Sequence, residues 1–246
     1  MKFIVIVLCL LSERFLVHAS SHARFQWFDH YSKAIEKRMP AAFVSNSWLV
    51  LLFIVLPLVI ATSLAFYVVG NLLFGLVILL LNIAIFHYCI GPQNPFYPVR
   101  GDDVTHDEVG GYLAGVNGQL FAVIFWYLVM GPLGVVTYRV ISLCQNYSLV
   151  HKQATWITSI LDWLPTKITA LLYLFAGNFQ AGVRHFSAMF FTSPDNNQEM
   201  LSTCGIQAVG FNEPEEVRMP QAEILVEHAV IVLLVLLAFF TMAAWL

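Results

Sequence analysis

WLVLLFIVLPLVIATSLAFYVVG (48–70), followed by NLLFGLVILLLNIAIFHYCI (71–90), decides the fold class. Between Arg38 and Arg100 the chain has no Asp, Glu, Lys or Arg. About 20 apolar residues in a helix cross a bilayer core. This run is roughly twice that length, and Gly70-Asn71, two turn formers, falls near its middle. In hydrocarbon a segment must satisfy its own backbone N–H and C=O groups, so two spanning helices joined by a tight turn are expected. A buried hairpin of a soluble protein would need a polar face, and neither half has one.

Composition agrees. Of 246 residues 59% are hydrophobic and 11% charged, against about 25% charged in soluble domains. The formal net charge of −3 gives no basis for nucleic acid binding. Cys9, Cys89, Cys144 and Cys204 are scattered without a C-x-x-C pair, which argues against a zinc or redox motif. A Cys144–Cys204 disulfide would require an oxidising compartment.

Upstream of the hairpin, Phe3 to Leu11 is apolar but too short to span alone. Lys2, the apolar core and Val17-His18-Ala19 resemble a signal peptide, yet Glu13 and Arg14 separate core from site. A retained helix in or partly entering the membrane is expected. Residues 24–38, RFQWFDHYSKAIEKR, read as an interfacial helix with Trp27, Tyr31, Ala34 and Ile35 on one face, or equally as a solvated amphipathic helix packing on the hairpin; the two can coexist. Pro57 is expected to kink the first spanning helix without breaking it.

Downstream, Asp102, Asp103, His106, Asp107 and Glu108 gather the densest set of metal-ligand side chains, without calcium-loop spacing; a solvated acidic loop is the alternative. Gln119 to Ile141 is a third membrane segment, broken at Gly131-Pro132. In residues 154–175 Pro165 suits the first turn of a new helix, with Ile168, Leu171, Leu172 and Phe175 forming one apolar face. Residues 178–191 read as a short helix, 193–223 as polar chain, and Ala229 to Leu246 as a fourth spanning helix.

The expectation is an all-α, multi-pass helical membrane protein with about four transmembrane helices plus interfacial and amphipathic helices. It forms one unit over 1–246: an N-terminal amphipathic region (1–46), a transmembrane hairpin (47–90), a polar acidic loop (91–118), a third membrane segment with a helical loop region (119–223) and a C-terminal helix (224–246). The positive residues Lys2 to Arg38 place the N-terminus in the cytoplasm. The expected polar site comprises Tyr138, Arg139, Asp162, Pro165 and Lys167. Arg139 is the only charge in the third segment, and Asp162 in the next apolar stretch is its expected partner. There is no Walker A, H-E-x-x-H or G-x-S-x-G motif, no strand pattern and no sign of a cofactor.

GPLGVVTYRV (131–140) and ILDWLPTKITALLYLF (160–175) resemble the CobD/CbiB superfamily in order and spacing. The resemblance rests on Tyr138, Arg139, Trp163, Leu164, Pro165, Thr169 and Ala170, with Lys167 where arginine is usual. In the synthase branch it implies an ATP-using ligase that attaches an aminopropanol to adenosylcobyric acid. The synthase branch's E-N-x-x-D-G motif is here Ala114, Gly115, Gly118 and Gln119 at its four defined positions, so its acidic and amide residues are lost, and its N-terminal G-D-P motif is absent. The chain more closely resembles the AmpE branch: L-S-E-R-F at 11–15, Gln26-Trp27, the hairpin, the two segments above and a C-terminal membrane helix. That resemblance implies a non-catalytic regulator or signal transducer of the bacterial inner membrane, linked to cell-wall recycling and β-lactamase induction. Its implied partners are the lipid bilayer and cell-wall recycling components or a muropeptide-like ligand. A small transporter is disfavoured, since intramembrane ionisable residues are few and no internal repeat is visible.

Overall fold

The computed structural model describes residues 2–15, 24–40, 46–72, 75–91, 94–96, 105–210 and 219–243. Among these the regular structure is entirely helical. The Val17-His18-Ala19 site and the polar stretch around Glu213, Glu215 and Glu216 lie outside the described residues.

The helices are α1 (Lys2–Phe15), α2 (Gln26–Arg38), α3 (Ser47–Leu72), α4 (Gly75–Cys89), α5 (His106–Val116), α6 (Ala122–Cys144), α7 (His151–Ala176), α8 (Phe179–Met189), α9 (Asn197–Val209) and α10 (Met219–Ala243). A π-helical turn, Asn117–Phe121, joins α5 to α6, and a 3-10 turn, Pro194–Asn196, precedes α9. Among the described residues three stretches are long and apolar enough to cross a bilayer: Ser47–Gly70, His106–Cys144 and Met219–Ala243. The second expected span, α4, is apolar but has 15 residues, about 22 Å of helix against a core of about 30 Å.

Several boundaries depart from the sequence reading. Gly70 and Asn71, the expected turn, lie in the last turn of α3, which runs to Leu72. The acidic loop ends at Thr105, where α5 begins. Pro165 lies inside the continuous α7 and does not start a helix; the only hydrogen bond it must forgo is to the Leu161 carbonyl. The stretch 193–209 contains a packed helix, α9. All four cysteines are buried free thiols, so no Cys144–Cys204 bridge is present.

The chain forms two compact units. The first comprises Met1–Cys9, Ser21–Pro92 and Val123–Leu161. Its core joins Phe28 of α2, Val50, Leu51 and Ile54 of α3, Val140 and Cys144 of α6, and Ala154 of α7. The inner face of α2 is Phe28, Tyr31, Ser32 and Ile35, whereas Trp27 and Ala34 are exposed. Tyr31 donates to the Ile54 carbonyl at 2.9 Å, and Tyr147 donates to Glu36. The expected break in α6 is real: Gly131 has φ 69° and ψ −153°, a conformation that favours glycine. Pro132 has no N–H for the Leu128 carbonyl, and that carbonyl accepts from Lys2 Nζ at 2.7 Å.

The second unit comprises Leu10–Ser20, Gln93–Ala122 and Asp162–Leu246. Here α5 packs on α9 at glycines. A Cβ on Gly205 would lie 2.8 Å from Leu113 Cδ1, and one on Gly110 would lie 2.2 Å from Ser202 Oγ. Small residues of this kind let helix backbones approach closely. The first half of α10 buries Met219, Ala222, Leu225, Val226, Ala229 and Val230, whereas Ile231, Val235, Phe239 and Phe240 are exposed. In the L-S-E-R-F segment, the Glu13 carbonyl accepts from Asn94 Nδ2 at 3.1 Å and Arg14 pairs with Glu227 at 2.7 Å.

Candidate functional site

Each unit holds a polar site, and the residues expected from sequence divide between them. Tyr138 and Arg139 belong to the first unit; Asp162, Pro165 and Lys167 belong to the second.

In the first unit the site is built on the C-terminal end of α4. The last carbonyls of a helix lack intrahelical donors and carry the negative end of the helix dipole. Arg139 Nε donates to the Cys89 carbonyl at 2.6 Å. Arg24 NH1 donates to the His87 and Ile90 carbonyls, both at 3.2 Å. Two guanidinium groups thus meet one helix end. Arg139 is 4% exposed, and its Cζ lies 5.9 Å from the ring centres of both Phe25 and Tyr138. Trp27 donates to the Tyr88 hydroxyl, and Tyr88 donates to the Arg24 carbonyl at 2.8 Å. Arg139 stands at the wall of a groove of about 490 Å³ between α3, α4 and α6. The α3 wall is Leu58, Ala61, Thr62 and Ala65, at the i, i+3, i+4, i+7 spacing of one helix face. Thr62 donates back to the Leu58 carbonyl at 2.8 Å, which satisfies its hydroxyl within the helix.

In the second unit the site centres on the π turn. Asn117 N–H donates to the Ala114 carbonyl, while the Leu113 carbonyl, its partner in a regular α-helix, accepts from the Tyr173 hydroxyl at 2.8 Å. Asn117 Oδ1 accepts from Thr169 at 2.8 Å, and its Nδ2 donates to Thr166 at 3.5 Å. Asn117, Thr166, Thr169 and Tyr173 are all buried. π turns of this kind occur often at functional positions. Between Thr166 and Thr169 on α7, Lys167 is 4% exposed. Its Nζ donates to the Met189 carbonyl at 3.3 Å, lies 3.1 Å from Met200 Sδ and sits 5.6 Å from the Trp163 ring centre. Burial lowers the Lys167 pKa below 10.5, opposed by the neighbouring Cys204 thiol. Burial also pushes that thiol up to about 11, and the Lys167 charge counters it. Pro165 is buried, and Asp162 is half-buried on the same helix.

Of the acidic set, Asp102 and Asp103 lie outside the described residues. His106, Asp107 and Glu108 form the exposed first turn of α5. Thr105 Oγ1 accepts from Glu108 N–H at 3.3 Å and Glu108 Oε2 accepts from Thr105 N–H at 3.1 Å, a reciprocal cap. Among the described residues no group of three or more His, Cys, Asp or Glu is arranged to hold a metal ion.

The sequence reading missed Arg24 and Asn117 as site residues. Arg24 carried no signal, because its partners are backbone carbonyls 63 and 66 positions away. The Asn117 site did leave one: Thr166, Thr169 and Tyr173 place hydroxyls at i, i+3 and i+7 along a helical stretch that is apolar apart from Lys167.

Fold and sites together define an all-α, multi-pass helical membrane protein. Compared with known proteins, the chain is 28% identical over 115 residues to the cobalamin biosynthesis protein CobD of Chromobacterium violaceum. The match covers 44% of this chain and 37% of that protein, so the chain aligns to well under half the length of this relative. The likeness supports a relationship to the CobD/CbiB superfamily. No family model matches the chain, and no solved structure matches it.

Proposed function

We propose that this chain is an AmpE-like, non-catalytic regulator of the bacterial inner membrane, with its N-terminus in the cytoplasm, that links cell-wall recycling to β-lactamase induction. The observation that carries this reading concerns the positions where the synthase pattern has acidic and amide residues. Here they are Ala114, Gly115 and Gly118, on α5 and the π turn. The buried polar groups beside them, Asn117, Thr166, Thr169 and Tyr173, are neutral, and their side-chain hydrogen bonds run to one another and to the backbone. Magnesium and ATP phosphates call for carboxylates and cations. A neutral, internally paired network instead suits a fixed joint between helices. The L-S-E-R-F segment adds support, with the Glu13 carbonyl anchored by Asn94 and Arg14 by Glu227. A muropeptide-like ligand or a component of the recycling machinery is the partner this reading implies.

The second reading is a cobalamin-pathway ligase, favoured by the likeness to CobD. One pair of experiments separates the two. Deleting the gene is expected to change β-lactamase induction by a β-lactam while leaving cobalamin-dependent growth intact. Rescue of a cobalamin auxotroph that lacks its adenosylcobinamide-phosphate synthase would overturn the regulator in favour of the ligase.

A further inference from the structure

We propose that the groove of the first unit is a binding site for one anionic phospholipid, its acyl chain between α3, α4 and α6 and its phosphate at Arg139. The inference rests on this groove alone and is independent of the regulatory reading.

Three observations carry it. First, the groove has the chemistry of a chain site. Ala61 and Ala65 of α3 and Ala84 of α4 leave the space, and the one hydroxyl on the α3 wall is turned into its own helix. The wall from Leu58 to Ala65 spans seven residue steps, about 10 Å of helix. The volume of about 490 Å³ falls within the range of sites for small ligands. Second, the surroundings are lipid. Leu56, Ile60 and Leu64 on α3 and Leu76 and Leu80 on α4 are exposed in helices otherwise devoid of charge. Ala61 and Ala84 are themselves exposed, so the groove is reached from the side that faces hydrocarbon. A water-soluble ligand has no such approach. Third, the polar end is cationic. Arg139 lines the groove, and Arg24 meets the same helix end. Trp27 and Tyr88, which also line it, are residue types that settle at headgroup level. Basic pockets between membrane helices recognise anionic headgroups, and arginine matches phosphate with paired donors.

The test uses the purified full-length protein in mild detergent, with bound lipid counted by native mass spectrometry. Phosphatidylglycerol and phosphatidylcholine with identical acyl chains are the probes. The wild type is expected to retain one phosphatidylglycerol, with a preference of about tenfold over phosphatidylcholine. Ala84→Leu, which fills the groove from its lipid side and leaves both arginines in place, is expected to lose that lipid with unchanged helicity. Arg139→Gln is expected to bind both lipids alike, while Arg139→Lys keeps part of the preference. Equal retention of the two lipids by the wild type, or retention of phosphatidylglycerol by Ala84→Leu at wild-type level, would overturn the proposal. Because Ala84→Leu leaves Arg139 intact, the test stands even if Arg139→Gln does not fold.

Discussion

Helix α3 and helix α9 differ in the opposite sense from what their sequences suggest for a protein in water. The most apolar window of α3 is 17% buried within the protein. Helix α9, NQEMLSTCGIQAV, buries Asn197, Met200, Leu201, Cys204, Gly205, Ile206, Ala208 and Val209 among its 13 residues. Around α3 the solvent is hydrocarbon, so an apolar surface costs nothing when left outside, and hydropathy reports contact with lipid. In the second unit close approach of backbones matters more. Glycines at 110, 177, 182 and 205 admit neighbours that a methyl group would strike, and van der Waals packing of small residues is what holds membrane helices together.

If that contrast is right, the largest losses should follow changes that block close approach. Of the glycine changes, Gly177→Ala should be the most damaging, because its Cβ would lie 2.4 Å from the Ala208 carbonyl oxygen, a backbone atom that also accepts from Asn178 N–H. A cost of about 3 kcal/mol is expected, read as loss of folded protein in membranes. Wild-type abundance would break the contrast.

Asn117→Ala comes next. It leaves the Thr169 and Thr166 hydroxyls without their partner in a buried setting, at about 1–3 kcal/mol. Thermal unfolding in detergent measures it, and an unchanged midpoint would show that the network contributes nothing. A proposal from sequence, the pairing of Arg139 with Asp162, is decided by a double-mutant cycle on abundance. A buried pair predicts about 3–5 kcal/mol for either single loss and little more for the double, whereas additive losses reject it.

Lys167 sharpens the comparison through pH. Its pKa is lowered on folding, so between the folded value and the ordinary 10.5 the unfolded chain binds more protons and stability rises with pH. Lys167→Met should abolish that rise and be near neutral or stabilising at neutral pH, since replacing a buried charge with an apolar side chain often is. Unfolding midpoints across the alkaline range check both, and a rise that persists in the variant would assign it elsewhere. The smallest effect is expected at Leu64, 58% exposed on α3. Leu64→Ala should shift stability by less than about 0.5 kcal/mol, and a loss near that of Gly177→Ala would mean that this face is covered by protein.

From the sequence alone came the all-helical membrane architecture, the apolar hairpin and the break at Gly131-Pro132. These follow from local physics: hydrocarbon selects long uncharged helices, and proline removes a donor. Only the tertiary structure decided that α9 is buried, that α2 turns Phe28 inward and leaves Trp27 outside, that Pro165 lies within one long helix, and that Asn117 forms a site with Thr169. Each depends on partners far away in the chain, such as Leu113 against Gly205 or the α4 carbonyls against Arg24. Hydropathy along one segment carries no record of which backbone will lie across it.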